Sequence, residues 1–200
     1  MNRSPINAGE VVWSGENPIV SLKADVQGEE LTNVTFFRIV YSPAGIGHAA
    51  FVSSQSFGGM LKGFTDNMEL GRWLRDRMLP HYAHYAGRDV SAIPLAPARF
   101  AWSGDSRRRW QETITGEGAE VRLSWDELGA PFVVNNPGGS TGKFPFHVIS
   151  LFIPAGRSGL TVNGVAAGGQ PFPRDVAGTR SSTCFLAFSE TWLTLPRGSA

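Results

Sequence analysis

Ionisable side chains inside apolar strand segments are the residues of this sequence best placed to do chemistry. Five of them have apolar neighbours in stretches with strand character: Arg38, Glu112, Arg122, His147 and Glu190. Successive side chains of a strand point to opposite faces, so an ionisable group on the inner face must be paired or must line a cavity. Two or three inward groups would bring a carboxylate together with an arginine or a histidine, which suits an organic acid or a carbonyl compound. Solvent exposure is the alternative for each of them.

Two further histidines, His81 and His84, follow Pro80 as a His-x-x-His pair that could share one side of a helical turn. Such a pair can bind a metal ion when further ligands are near. Tyrosines alternate with these histidines, and no cysteine, aspartate or glutamate occurs within the next three residues. We therefore predict no metal site and expect an aromatic packing patch here.

The glycine-rich segment 137–144 partly matches two motifs. A phosphate-binding loop needs a glycine and a hydroxyl residue where this chain has Pro137 and Phe144. The Gly-x-Ser-x-Gly pattern around Ser140 marks a hydrolase nucleophile only between a strand and a helix, and a strand signal follows instead. We predict an inter-strand loop, which could cover a pocket.

The bulk composition argues against several function classes. Eighteen basic and 17 acidic residues give a net charge of +1, so no long-range attraction to nucleic acid is expected. The basic run 107–109 is predicted to be a solvated turn. Cys184 is the single cysteine and lies in an apolar run, so we predict a buried small side chain and no nucleophile. No stretch has the length of a signal-peptide core or of a membrane span, and a cytoplasmic location is the expectation.

Strand signals dominate the elements that must position these groups. About ten segments rich in β-branched and aromatic residues are separated by Gly, Pro, Asp and Ser turns. Only the segment from about Asp66 to Leu79 has helical spacing, with Leu70 and Leu74 on its apolar side. We predict one mostly β domain over 1–200 (β-rich α+β): an antiparallel barrel or a two-sheet sandwich with one inserted amphipathic helix.

Two predicted strands are followed by the segment 66–72, which begins a helix that ends at Leu79-Pro80. This arrangement resembles the acetoacetate decarboxylase-like superfamily. The closing segment 190–196 is also similar to the last strand of that group. The resemblance implies a related β fold without the Schiff-base chemistry, since the reactive lysine of the family would fall at His81. An imidazole cannot form the iminium electron sink, although it can act as an acid or a base. Trp73 also replaces the acidic residue that follows Gly-Arg in the family.

Two functions remain open from the sequence, both with a small molecule as the partner. The first is a lipocalin-like protein that binds an apolar or organic-acid ligand in a β-barrel cavity, without a cofactor, nucleic acid or membrane. The alternative is a lyase- or isomerase-type enzyme acting on a small oxo-acid. A structural or subunit-interface role in a homo-oligomer is a third reading. The predicted catalytic residues are His81, His147 and Glu112, and the predicted ligand-binding residues are Arg38, Arg72, Trp110 and Glu190.

Overall fold

The computed structural model describes residues 10–116, 118–138 and 145–195. Strands dominate the described chain: β1 (Val11–Glu16), β2 (Ile19–Lys23), β3 (Glu30–Tyr41), β4 (Gly47–Ser54), β5 (Leu61–Thr65), β6 (Leu95–Pro97), β7 (Arg99–Asp105), β8 (Arg109–Gly116), β9 (Ala119–Leu128), β10 (Phe132–Asn136), β11 (Phe146–Val162), β12 (Val165–Ala166), β13 (Pro173–Val176), β14 (Thr179–Ser182) and β15 (Phe185–Thr194). The glycine-rich segment that was predicted to be a loop lies mostly outside the described residues.

One large sheet runs in the order β6-β5-β4-β3-β1-β15-β11-β9-β8-β7, with β2 beside β3 and β15 and with β10 and β12 beside β11. The described pairs are antiparallel apart from β5 and β6. Only Ala98 separates the two ends of this order, β6 and β7, and its N–H donates to the Thr65 carbonyl at 2.8 Å. The sheet therefore closes on itself, and β13 and β14 form a separate hairpin. The predicted mostly β fold is confirmed.

Strict alternation along β3 gives the sheet two covered faces. Val34 and Phe36 belong to the core on the inner face, whereas Phe37 and Ile39 belong to a second core on the outer face. The inner core spans the closed sheet, since the ring of Phe36 meets the ring of Phe100 on β7 edge to face at 5.8 Å. Cys184 is fully buried in this inner core, as predicted.

The inserted helix covers part of the outer face. It begins with α1 (Met68–Trp73) and continues as a π-helical turn (Leu74–Met78) and a 3-10 turn (Leu79–His81). Asn67 caps it, because its side-chain oxygen accepts hydrogen bonds from the N–H groups of the second and third helical residues. Leu70, Leu74 and Met78 pack against Phe37 and Phe51. Further 3-10 turns follow at Ala83–Tyr85 and Val90–Ala92. No helix in the described part of the chain is long and apolar enough to span a membrane.

Two strand boundaries differ from the sequence patterns. The patterns predict separate strands at 146–153 and 160–162, whereas β11 is continuous through Pro154. Its first half pairs with β10 and β15 and its second half with β9, so different neighbours hold the two halves. The patterns also predict one last strand from about Ser182 to Leu195, whereas the structure divides this segment into the end of β14 and β15.

Candidate functional site

A cleft of about 900 Å³ opens on the outer face of the sheet, beside the exit of the helix. Ile19 on β2 and Thr35 on β3 line it because their neighbours Val20 and Val34 point into the inner core. The helix exit borders it through residues 81–84, and β10, β11 and the segment 172–174 contribute further lining. We call this site the outer cleft.

A bulge in β15 brings a carboxyl group into the outer cleft. Phe185 and Ala187 lie on the outer face, so strict alternation would turn residue 190 to the inner face. Ser189 adopts a left-handed conformation with φ 51°, and the pairing with β11 shifts here so that Ser189 and Glu190 both oppose Ser150. The extra residue resets the alternation, and Glu190 and Trp192 line the outer cleft.

Glu190 is almost fully enclosed, with 4% of its surface exposed. Its Oε1 accepts a hydrogen bond of 2.7 Å from the indole Nε1–H of Trp192. Burial raises the pKa of Glu190 to about 7, against smaller lowering effects of Trp192 and the Ser150 hydroxyl. A carboxyl group with this pKa exchanges its proton near neutral pH, which is the property required of a general acid or base.

Flat aromatic side chains line the same cleft as this carboxyl group. The ring of Tyr82 stacks on Trp192 at 5.4 Å, and Phe152 stacks on Phe185 at 4.3 Å. The Tyr82 hydroxyl donates to Asn17 Oδ1 at 2.9 Å. Burial and the nearby Glu190 carboxyl raise the pKa of Tyr82 well above its ordinary value, so this hydroxyl stays protonated.

The end of the outer cleft near β2 and β3 carries a polar cluster around Glu30. Its carboxylate accepts hydrogen bonds from His84 Nδ1, from the Ser21 hydroxyl and from Asn33 Nδ2. Burial opposes ionisation, but these hydrogen bonds outweigh it and lower the pKa of Glu30. His84 Nε2 and Asn33 Oδ1 are buried without a hydrogen-bond partner among the described residues. A polar group of a bound molecule or a water would reduce the cost of these unpaired atoms.

His81 stands on the rim of the outer cleft, half-buried, with its ring edge-on to Phe146 at 4.9 Å. Burial lowers the pKa of His81 below its ordinary value of 6.5, so the ring is mostly neutral at pH 7. A neutral imidazole can accept a proton. The role of His81 as an acid or a base stays a prediction.

Three other predicted residues, Arg38, Trp110 and Glu112, meet on the inner face. Glu112 is fully buried, and its Oε1 accepts hydrogen bonds from Arg38 Nη2 at 2.6 Å and from Trp110 Nε1 at 2.8 Å. Arg38 also pairs with Glu16 and donates from Nε to His48 Nε2 at 3.2 Å. Burial raises the pKa of Glu112 to about 7, although Arg38 acts in the opposite direction. We call these five residues the inner cluster.

The inner cluster continues to the helix start. His48 Nε2 accepts a hydrogen bond from the Nε–H of Arg38, so the protonated Nδ1 donates to Asp66 Oδ2 at 2.6 Å. Gly47 permits this approach, because its φ is 143° and a Cβ there would lie 2.6 Å from Asp66 Oδ1. Every charged member thus has a partner inside the cluster, while Glu112 Oε2 is buried without a hydrogen-bond partner among the described residues.

The remaining predicted residues do not line the outer cleft. Arg72 is exposed on the helix, and Arg122 is exposed and pairs with Glu120 at 2.9 Å. His147 Nε2 forms a hydrogen bond of 2.6 Å with Asn135 Oδ1 on β10. The strand pattern predicts a cavity inside the barrel, whereas the outer cleft lies on the opposite face of the sheet.

Several polar residues of the outer cleft gave no signal in the sequence. Glu30 and His84 are 54 positions apart, and nothing local indicates that they meet. Asn17 and Asn33 lie in polar stretches whose pattern predicts strand ends or turns. The described residues contain no group of three or more histidine, cysteine, aspartate or glutamate side chains that could hold a metal ion.

Comparisons with protein-family profiles, with curated proteins and with solved structures find no match for this chain. The resemblance to the acetoacetate decarboxylase-like superfamily therefore stays a prediction. The function has to be inferred from the outer cleft itself.

Proposed function

We propose that this protein binds a small, largely apolar organic molecule in the outer cleft. The observation that carries the proposal is a cleft of about 900 Å³ that has stacked aromatic rings and one buried carboxyl group in its lining. Small-molecule sites typically have volumes of roughly 300–1,000 Å³, apolar linings and a few placed polar groups.

The two stacked pairs favour a flat ligand body. Tyr82 and Trp192 offer one aromatic surface, and Phe152 and Phe185 offer another. Each 100 Å² of apolar ligand surface removed from water contributes about 2.5 kcal/mol before the costs of association. Glu190 supplies the polar anchor, because its protonated form donates a hydrogen bond and its ionised form accepts one.

Binding of the neutral dye N-phenyl-1-naphthylamine, which fluoresces in apolar surroundings, tests the proposal. Ala83 is exposed and lines the outer cleft, whereas Ala86 is also exposed and does not line it. Ala83→Trp should obstruct the cleft and weaken dye binding at least about tenfold, while Ala86→Trp should leave dye binding unchanged. Saturable binding that is the same in both variants, or no binding to the unmodified protein, would contradict the proposal.

A second candidate function is proton transfer on a small oxo-acid, as a lyase or an isomerase. The observation that favours it is Glu190, whose carboxyl pKa near 7 lies in the same cleft as the neutral imidazole of His81. Two such groups could remove and return a proton next to a carbonyl group.

Deuterium exchange at the carbon next to the carbonyl of pyruvate and 2-oxobutanoate, followed by NMR in D2O, tests this activity. Protein-dependent exchange that disappears in Glu190→Gln supports it. The absence of exchange above the protein-free rate for both acids would leave binding as the function.

A further inference from the structure

One arginine of the outer cleft, Arg174, combines a place in the lining with a contact to an aromatic ring. Arg174 lies on β13 at the mouth of the cleft, with its guanidinium 4.8 Å above the ring of Phe185. No carboxylate among the described residues forms an ion pair with it, whereas five other arginines have such a partner: Arg38, Arg75, Arg109, Arg122 and Arg157. Its N–H donors are therefore not committed to an acidic side chain.

The position of Arg174 suits the recognition of an anion. Its guanidinium lies over a face of Phe185, and the ring of Phe185 also stacks on Phe152. A cation above an aromatic ring is held by the ring quadrupole, while the edge of the guanidinium keeps its N–H groups for a planar anion. A carboxylate can accept two parallel hydrogen bonds from that edge. The apolar surface of Phe152 and Phe185 thus ends at the guanidinium of Arg174, which could hold a carboxylate.

Neither carboxyl group in the lining of the outer cleft forms an ion pair with Arg174. The carboxylate of Glu30 is already engaged by His84, Ser21 and Asn33. Glu190 is bonded to Trp192 and forms no ion pair with Arg174. Lys23 also lines the cleft and has no ion-pair partner among the described residues, which adds a second positive charge to the lining.

We propose that Arg174 forms an anion subsite and that the natural ligand is an organic carboxylate with a flat apolar body. The carboxylate pairs with the guanidinium, and the body lies along Phe185 and Phe152. This assignment rests on the proposed binding function of the outer cleft and adds the chemical class of the ligand. It also moves the carboxylate-holding role from Arg38 and Arg72, the sequence candidates, to Arg174.

Two competitors of equal shape separate the subsite from the cleft itself. We suggest displacing bound N-phenyl-1-naphthylamine with 1-naphthylacetate and with its uncharged amide, 1-naphthylacetamide. The unmodified protein should bind the acid about tenfold more tightly than the amide, as expected for hydrogen bonds to a charged group. Arg174→Gln should abolish this preference and leave the affinity for the amide unchanged, and Arg174→Lys should restore part of it.

Arg180 provides the matched control, because it lies on the facing strand of the same hairpin and does not line the outer cleft. Arg180→Gln should keep the full preference for the acid. Equal affinities for acid and amide in the unmodified protein, or a preference that survives in Arg174→Gln, would overturn the anion subsite and leave the binding function intact. Failure of the dye and of both competitors to bind would overturn the binding function, and the subsite with it.

Discussion

Replacing Glu190 with glutamine removes the ionisable group from the outer cleft and keeps nearly the same shape. The amide oxygen can still accept the hydrogen bond that Trp192 Nε1–H donates to Oε1. The substitution therefore separates the effect of the buried charge from the effect of packing. We expect Glu190→Gln to change the pH dependence of stability and to change the stability itself little in acid.

The direction of the change in unfolding free energy with pH follows from the protonation of Glu190 in the folded and in the unfolded chain. Well below pH 4.5, Glu190 holds its proton in both the folded and the unfolded chain. Between pH 4.5 and about 7 the unfolded chain releases this proton and the folded chain retains it, so the free energy of unfolding falls as the pH rises. Above pH 7 the loss is constant. The difference between a pKa of about 7 and the ordinary 4.5 corresponds to a loss of about 3 kcal/mol.

Urea unfolding followed by tryptophan fluorescence between pH 4.5 and 8.5 measures this loss. Glu190→Gln should be more stable than the unmodified protein by up to about 3 kcal/mol at pH 8 and nearly equal to it at pH 4.5. Glu112 contributes equally to both proteins, so it cancels in the difference. Glu29→Gln replaces an exposed glutamate and should show the same dependence of the unfolding free energy on pH as the unmodified protein. Parallel pH profiles for Glu190→Gln and the unmodified protein would refute the reasoning.

Three further predictions concern the inner cluster, the helix and the bulge. Arg38→Met should lower the free energy of unfolding by about 3–5 kcal/mol in urea, because Glu112 then stays buried without its cation, and Arg38→Met/Glu112→Leu should recover most of that loss. An equal loss in the double variant would show that the ion pair is not the cause. Arg72→Gln should leave the dissociation constant of N-phenyl-1-naphthylamine within about twofold, since Arg72 is exposed away from the outer cleft, and a larger change would place it in the site. Ser189→Gly should raise the unfolding free energy by about 1 kcal/mol, because a residue with φ 51° is strained unless it is glycine, whereas a decrease would mean that the hydroxyl stabilises the bulge.

The strand-rich fold was predictable because most strands carry their own pattern. Val34 to Tyr41 alternates between two apolar faces, and the spacing of Leu70 and Leu74 indicates the helix. The continuous course of β11 was not predictable, since Pro154 interrupts the local pattern and only its change of partners explains the length of the strand. β5 gave no signal because its five residues include a glycine and a lysine.

The site was predictable only in part. Glu190 and His81 stand out as ionisable groups in apolar or aromatic surroundings, and both line the outer cleft. The face on which Glu190 lies depends on the extra residue at Ser189, and alternation alone assigns Glu190 to the opposite face. Arg174 lies in an exposed hairpin whose sequence resembles any polar turn, so its place over Phe185 becomes apparent only in the folded chain.

A crystal structure of the protein with 1-naphthylacetate tests the central claim most directly. The ring system should lie in the outer cleft against Phe152 and Phe185, with its carboxylate within hydrogen-bond distance of Arg174. Density for the ligand on the inner face beside Arg38, or an outer cleft that stays without ligand at saturating concentration, would contradict the account.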